Sequence, residues 1–127
     1  MKLLSYKTED SISELTNLCI KLLKHNKTIT IRVEDIDQAQ KLSESFWKSY
    51  YFLPHGIEGE EFAHIQPIIL TINNIKRDIF INFENTYSLH TDLDFNLDSL
   101  IQWNCEPYQG QFENYIQDST KKWKKVN

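Results

Sequence analysis

Glycine is scarce in this chain: Gly56, Gly59 and Gly110 are the only three in 127 residues. None lies between the first predicted strand and the first predicted helix. Nucleotide-binding α/β folds place glycines there, so that backbone amides can approach a pyrophosphate. The turn instead reads Lys7-Thr8-Glu9-Asp10-Ser11, and its two carboxylates would repel phosphate. No GxxxxGK[ST] pattern occurs elsewhere. Cysteine is limited to Cys19 and Cys105, which give no disulfide framework and fit a reducing, cytoplasmic setting. No apolar run approaches ~18 residues, so no membrane span is expected. The opening Met1–Lys7 is too short and too polar for a signal peptide.

Basic residues are also in deficit. Fourteen Lys and Arg face eighteen Asp and Glu, a net charge of −4. That balance argues against sequence-blind binding to DNA along a broad face. The total hides an asymmetry. Lys121, Lys122, Lys124 and Lys125 crowd the last seven residues, and no acid follows Asp118. Without those four, ten bases face eighteen acids, which is −8 for the rest.

What remains is an ordinary globular composition, 40% hydrophobic and 25% charged, in 15.1 kDa. That size fits one domain over residues 1–127, burying roughly two thirds of its unfolded surface. Leu3–Tyr6 reads as a first strand. Ser11-Ile12-Ser13-Glu14 is a capping-box pattern opening a helix to about His25, with Ile12, Leu15, Leu18, Cys19, Leu22 and Leu23 at helical spacing. Lys27–Val33 alternates and is β-branched, as a strand does. Asp35 to Gln38 can cap a second helix carrying Ala39, Leu42, Phe46 and Trp47. Strand, helix, strand, helix opens an α/β fold. Tyr50–Gln66 reads as a long loop. Pro67–Ile72 and Asp78–Phe83 read as strands, joined through Asn73–Arg77 by a hairpin turn or by a loop to a parallel strand. Leu93, Leu97, Leu100 and Ile101 fit a short helix, Trp103–Cys105 a last strand, and Phe112–Lys125 a closing helix.

Chemistry-bearing motifs are few. His55 with Glu58, Glu60 and Glu61 can be drawn as a metal site or small hydrolase centre, but the spacing matches no zinc or protease pattern. A solvated acidic loop accounts for the same residues. Arg77 and Asp78 read as a strand-end hydrogen-bonding pair. Cys19 lies on the apolar face of the first helix and reads as core. Trp47, Tyr50, Tyr51, Phe52 and Leu53 crowd a helix end and a Pro-Gly loop. Core and protein-binding hot spot both fit them. The closing lysines fit a solvated helix end, or capture of an acidic peptide or a phosphate backbone with Trp123 as a platform.

Several blocks together resemble the chi subunit family of bacterial DNA polymerase III. They are Val33–Leu42, Phe46-Trp47, Phe52-Leu53-Pro54-His55-Gly56 followed by Gly59-Glu60, Gln66–Leu70, and Arg77–Phe83. The resemblance implies a single Rossmann-like α/β domain, with a mostly parallel sheet flanked by helices and no catalysis, cofactor or metal of its own. It implies two partners. One is the psi subunit, which tethers chi to the clamp loader. The other is the acidic C-terminal tail of the single-stranded DNA-binding protein, with contact to single-stranded DNA only through it. Carried over by position, Trp47, Phe52 and Pro54 face psi. Lys121, Trp123 and Lys124 receive the tail near a C-terminal helix, with Lys122 and Lys125 adding charge and Phe112 near Trp123. Gln117 and Thr120 stand where the family's arginine and tyrosine are expected. The alternatives of another class are the His55 hydrolase, with Glu58 or Glu60, and a module binding single-stranded DNA directly.

Overall fold

A computed structural model describes residues 1–51, 53–84 and 97–126. In chain order the elements are β1 (Lys2–Lys7), α1 (Ser11–Lys24), β2 (Ile29–Arg32), α2 (Ile36–Lys48), β3 (His55–Ile57), a 3-10 turn (Ala63–Ile65), β4 (Ile68–Thr71), β5 (Ile79–Phe83), β6 (Ser99–Trp103), β7 (Glu113–Gln117) and β8 (Trp123–Val126). All eight strands join one sheet in the order β3-β4-β2-β5-β6-β1-β7-β8. Seven run parallel, and β8 pairs antiparallel with β7.

Side-chain alternation sorts the two faces of the sheet. Ile29 and Ile31, Ile68 and Leu70, Ile79, Ile81 and Phe83, and Ile101 and Trp103 share one face. Leu15 and Cys19 of α1 and Ala39, Leu42 and Phe46 of α2 pack onto it in the same buried cluster. Among the described residues, therefore, helices cover one face only, rather than flanking the sheet as expected. The opposite face carries a smaller apolar cluster of Phe80, Leu97 and Leu100, with Leu3 beside it. Next to that cluster lies a row with no counterpart in the sequence reading. Thr71, Arg32, Asn82, Gln102, Ser5 and Asn114 occupy one register line across six adjacent strands. All but Arg32 are buried. Asn82 Nδ2 donates to Gln102 Oε1 at 2.8 Å, Arg32 to Asn74 Oδ1 at 2.5 Å, and the Ser5 hydroxyl to Asn114. Buried polar groups persist when bonded in this way.

The first half of the chain follows expectation, and α2 begins as read, with Asp35 accepting from Gln38 N–H at 2.9 Å. The capping box at α1 does not form. Asp10 is the cap residue and Ser11 already lies in the first turn, where its carbonyl and hydroxyl oxygens accept from Trp103 Nε1. The Tyr50–Gln66 loop contains β3 and the 3-10 turn. Asn73–Arg77 is no hairpin, since β4 and β5 lie parallel on either side of β2. The connection crosses β2, and Thr30 Oγ1 donates to Ile75 O at 2.8 Å.

The second half departs further. Ser99, Leu100 and Ile101 belong to β6, not to a helix, and Leu93 lies outside the described residues. β6 also ends at Trp103, where a last strand was expected to begin. The closing helix is replaced by the β7–β8 hairpin. Its turn explains why. The Asp118 carboxylate accepts from Thr120 N–H (2.8 Å), Thr120 Oγ1 (2.5 Å) and Lys122 N–H (3.0 Å). Lys121 takes a left-handed backbone, φ 66°. An aspartate that satisfies the next turn's amides favours a reversal over a continuing helix.

Candidate binding surfaces

The first surface lies at the β3 edge. Ala39, Leu42 and Phe46 form the buried side of α2. Trp47 follows Phe46 by ~100° of helical rotation and is turned outward; it is 64% exposed. It still has a fixed support. His55 packs against Trp47 (ring centroids 5.1 Å) and edge-on against Phe46 (5.3 Å). The His55 ring is held at both nitrogens. Nδ1–H donates to Leu53 O at 2.7 Å, which leaves Nε2 to accept from Ser43 Oγ at 2.8 Å. Beyond the helix end, Tyr50 and Tyr51 meet edge to face and are exposed, and the Lys24 ammonium lies 5.7 Å from the Tyr51 ring centre. Leu53 turns into the core. Pro54 lines a groove of about 490 Å³ with Ile20, Leu23, Tyr51 and Pro67. The crowded apolar run thus divides: Leu53 is core, while Trp47, Tyr50 and Tyr51 are surface. Phe52 lies outside the described residues.

The same geometry uses up the residues of the hydrolase reading. His55 is engaged as above. Glu58 accepts from Thr71 Oγ1 and Asn73 Nδ2, both at 2.6 Å, and those bonds hold its carboxyl below the ordinary range. Glu60 accepts from Ile57 N–H at 2.8 Å. The structure does not bring His55 to either glutamate. No group of three or more His, Cys, Asp and Glu among the described residues is placed to hold a metal. Arg77 and Asp78 do bond at strand ends: Arg77 donates to Gln66 O and His64 O, and Asp78 accepts from Thr28 N–H at 2.9 Å.

The second surface is the β7–β8 hairpin at the other edge. Trp123 does not stand alone among lysines. It meets Tyr6 edge to face (5.4 Å) and lies 6.3 Å from Trp103, while Tyr115 stacks on Tyr6 (5.3 Å). Burial, with Tyr115 and Glu113 nearby, pushes the Tyr6 phenol up to about 12. Phe112 is elsewhere. It stacks on Tyr108 (4.8 Å) and lines a groove of about 590 Å³ with Pro107, Gly110, Asn114 and Val126. Asn114 pairs with Val126 and Gln117 with Trp123, so alternation puts Trp123 and Phe112's groove on opposite faces. The single hollow expected from the two does not exist.

The lysines are partly neutralised at home. Lys121 pairs with Asp10 at 3.0 Å, Lys124 with Asp118 at 3.6 Å and Lys125 with Glu113 at 4.0 Å. Lys122 has no acidic partner within 4.0 Å among the described residues. Exposed pairs of this kind are worth ~0–1 kcal/mol, so a competing carboxylate can exchange into them.

Sequence reasoning missed Phe62 and Ile65, both well exposed on the 3-10 turn beside β3. Phe62 just before Ala63 and Ile65 two residues after it, next to an acidic stretch, were the available signal. It also missed that its two sites stand at opposite edges of one sheet, with six strands between β3 and β8. At ~4.8 Å per strand step, the β3 and β8 edges themselves lie on the order of 30 Å apart.

These features define an α/β domain built on one mostly parallel sheet, with exposed aromatics at one edge and lysines at the other. A family model described as "DNA polymerase III chi subunit, HolC" matches residues 2–117, and the chain belongs to that family, an accessory subunit of DNA polymerase III in DNA replication. No curated protein matches the chain. The family match ends at Gln117, so β8 and all four closing lysines lie beyond it.

Proposed function

We propose that this chi-family chain is a non-catalytic connector. It binds the psi subunit, and through it the clamp loader, at the Trp47–Pro54 end. It captures the acidic tail of single-stranded DNA-binding protein at the Lys121–Lys125 end. Phe52 belongs to the psi-facing set by position. The domain is read as Rossmann-like and cytoplasmic, keeping the α/β architecture without a phosphate-binding loop.

The observation that carries this reading is the placement of two chemically different surfaces at opposite edges of one sheet. Two partners can then bind at once without sharing a residue. Trp47 supports the psi side, because an exposed tryptophan held by His55 loses little freedom on binding. The lysine end supports the tail side by charge. A body of −8 discourages bare DNA, while four lysines attract carboxylates.

Calorimetric titration separates the two sites. Trp47→Ala, if folded, is expected to cost ~2 kcal/mol against psi, about thirtyfold, and to leave tail binding unchanged. Lys122→Glu with Lys124→Glu is expected to do the reverse, and wild-type tail binding should weaken with salt. Unchanged psi affinity in Trp47→Ala, or unchanged tail affinity in the double lysine variant, overturns the corresponding half.

A further inference from the structure

The two edges of the sheet are finished differently. At β3 the chain closes its own edge: Ile57 N–H donates to the Glu60 carboxylate and Glu60 N–H to Ile57 O (2.9 Å). At β8 nothing among the described residues does so. Asp118 N–H donates to Lys122 O at 2.8 Å, which fixes the ladder phase. Antiparallel pairs alternate, so Ile116–Lys124 and Asn114–Val126 are the hydrogen-bonded pairs. The N–H and C=O groups of Trp123 and Lys125 therefore point away from β7, along the open edge. Lysines on an edge strand ordinarily prevent self-pairing, because a second copy would bring lysine against lysine. The same lysines accept a strand of opposite charge.

We infer that the β8 edge takes an extended acidic peptide as a ninth strand. Main-chain bonds to Trp123 and Lys125 would supply the docking, and side chains would supply the selection. This rests on the tail-capture reading and specifies its geometry. On one face, Trp123 offers an apolar neighbour and Lys125 a cationic one. On the other, Lys124 offers charge and Val126 borders the Tyr108–Phe112 groove. β8 is ready for addition, because Trp123 is packed on Tyr6 and Trp103 and the turn is tied by Asp118. Strand addition draws affinity from backbone bonds and specificity from alternate side chains. The lysines therefore need not hold the peptide alone.

The probe is a synthetic peptide of the single-stranded DNA-binding protein's acidic tail, titrated onto the full chain. Strand addition predicts that the Trp123 and Lys125 amides gain hydrogen-exchange protection on binding. It also predicts that N-methylating alternate peptide amides weakens binding roughly tenfold in one phase and little in the other. Lys125→Pro, which removes an outward N–H, should weaken binding several-fold more than Lys125→Ala, which removes the charge alone. Tight binding without protection of those amides, and without phase dependence on methylation, overturns strand addition and leaves tail capture standing. No binding of the unmodified peptide overturns both. The exchange and methylation arms use the wild-type chain, so they hold even where Lys125→Pro does not fold.

Discussion

Gly56→Ala is the sharpest single test of how the β3 edge is built. A Cβ at Gly56 would lie 2.8 Å from Ala63 Cα and 3.0 Å from Ala63 Cβ. Comfortable carbon contacts start near ~3.5 Å, so the 3-10 turn would have to retreat by ~0.7 Å. It is not free to do so. Ala63 N–H is bonded to Glu60 O and Gln66 N–H to Ala63 O, both at 3.2 Å, and Arg77 clamps the carbonyls of His64 and Gln66. Overpacking against a fixed backbone costs ~1–3 kcal/mol. Taking ~2 kcal/mol and a urea slope of ~2 kcal/mol/M, the midpoint should fall by ~1 M. Gly59→Ala is the control. Nothing lies within 4 Å of its added Cβ, but its φ is +100°, so its cost, about 1 kcal/mol, is conformational alone. Adding Ala63→Gly to Gly56→Ala should recover only part of the loss, since it removes the 3.0 Å contact and leaves the 2.8 Å one. A Gly56→Ala midpoint equal to wild type would refute the idea that glycine is required there by close packing.

Three further outcomes are expected. Cys19 is fully buried, and burial pushes its thiol up to about 12. It should resist a thiol-reactive dye until urea unfolds the chain, whereas the half-exposed Cys105, pushed up to about 11, should react slowly in the native state. Tyr6 has its folded value raised from 10.0 to about 12, so the folded state holds that proton longer. Its contribution is complete below pH 10 and is lost as pH rises toward 12. The stability gap between wild type and Tyr6→Phe should therefore shrink across that window in urea titrations. Asp118 is held below its ordinary 3.8 by the Thr120 hydroxyl first, then by backbone N–H groups of Lys122 and Thr120 and by Lys124. Its support of the hairpin is present above 3.8 and is lost as pH falls through the lower folded value. Asp118→Ala at neutral pH should lower amide protection at Ile116 and Lys124, and wild type at low pH should lose the same protection once rates are divided by the intrinsic exchange rate at that pH.

How much was legible in the sequence varies along the chain. The Ile29–Arg32 and Ile79–Phe83 strands, and the Leu15-Cys19 and Leu42-Phe46 faces, announced themselves because each is a periodic apolar pattern facing one shared layer. The β7–β8 hairpin did not. Asn114, Tyr115 and Ile116 alternate too briefly to compete with a lysine-rich run that looks helical. What settles the matter is the Asp118 carboxylate reaching three donors across the turn. The row from Thr71 to Asn114 was equally hidden. Each member looks like a surface residue in its own strand, and only parallel register on neighbouring strands brings Asn82 to Gln102 and Ser5 to Asn114.

The sequence by itself determined the α/β class, the family, the buried core of the first half, and the anionic body with its cationic end. The family shows in the resemblance of ordered sequence blocks; the others are local or compositional properties, readable from spacing and count. The tertiary structure decided the rest. It sent Leu53 inward and Trp47 outward, packed Trp123 on Tyr6, and paired three of the four closing lysines with acids. It also placed the aromatic and lysine surfaces at opposite edges of one sheet. Strand order is set by contacts between residues far apart in the chain, and no local pattern encodes which strand is left at the edge.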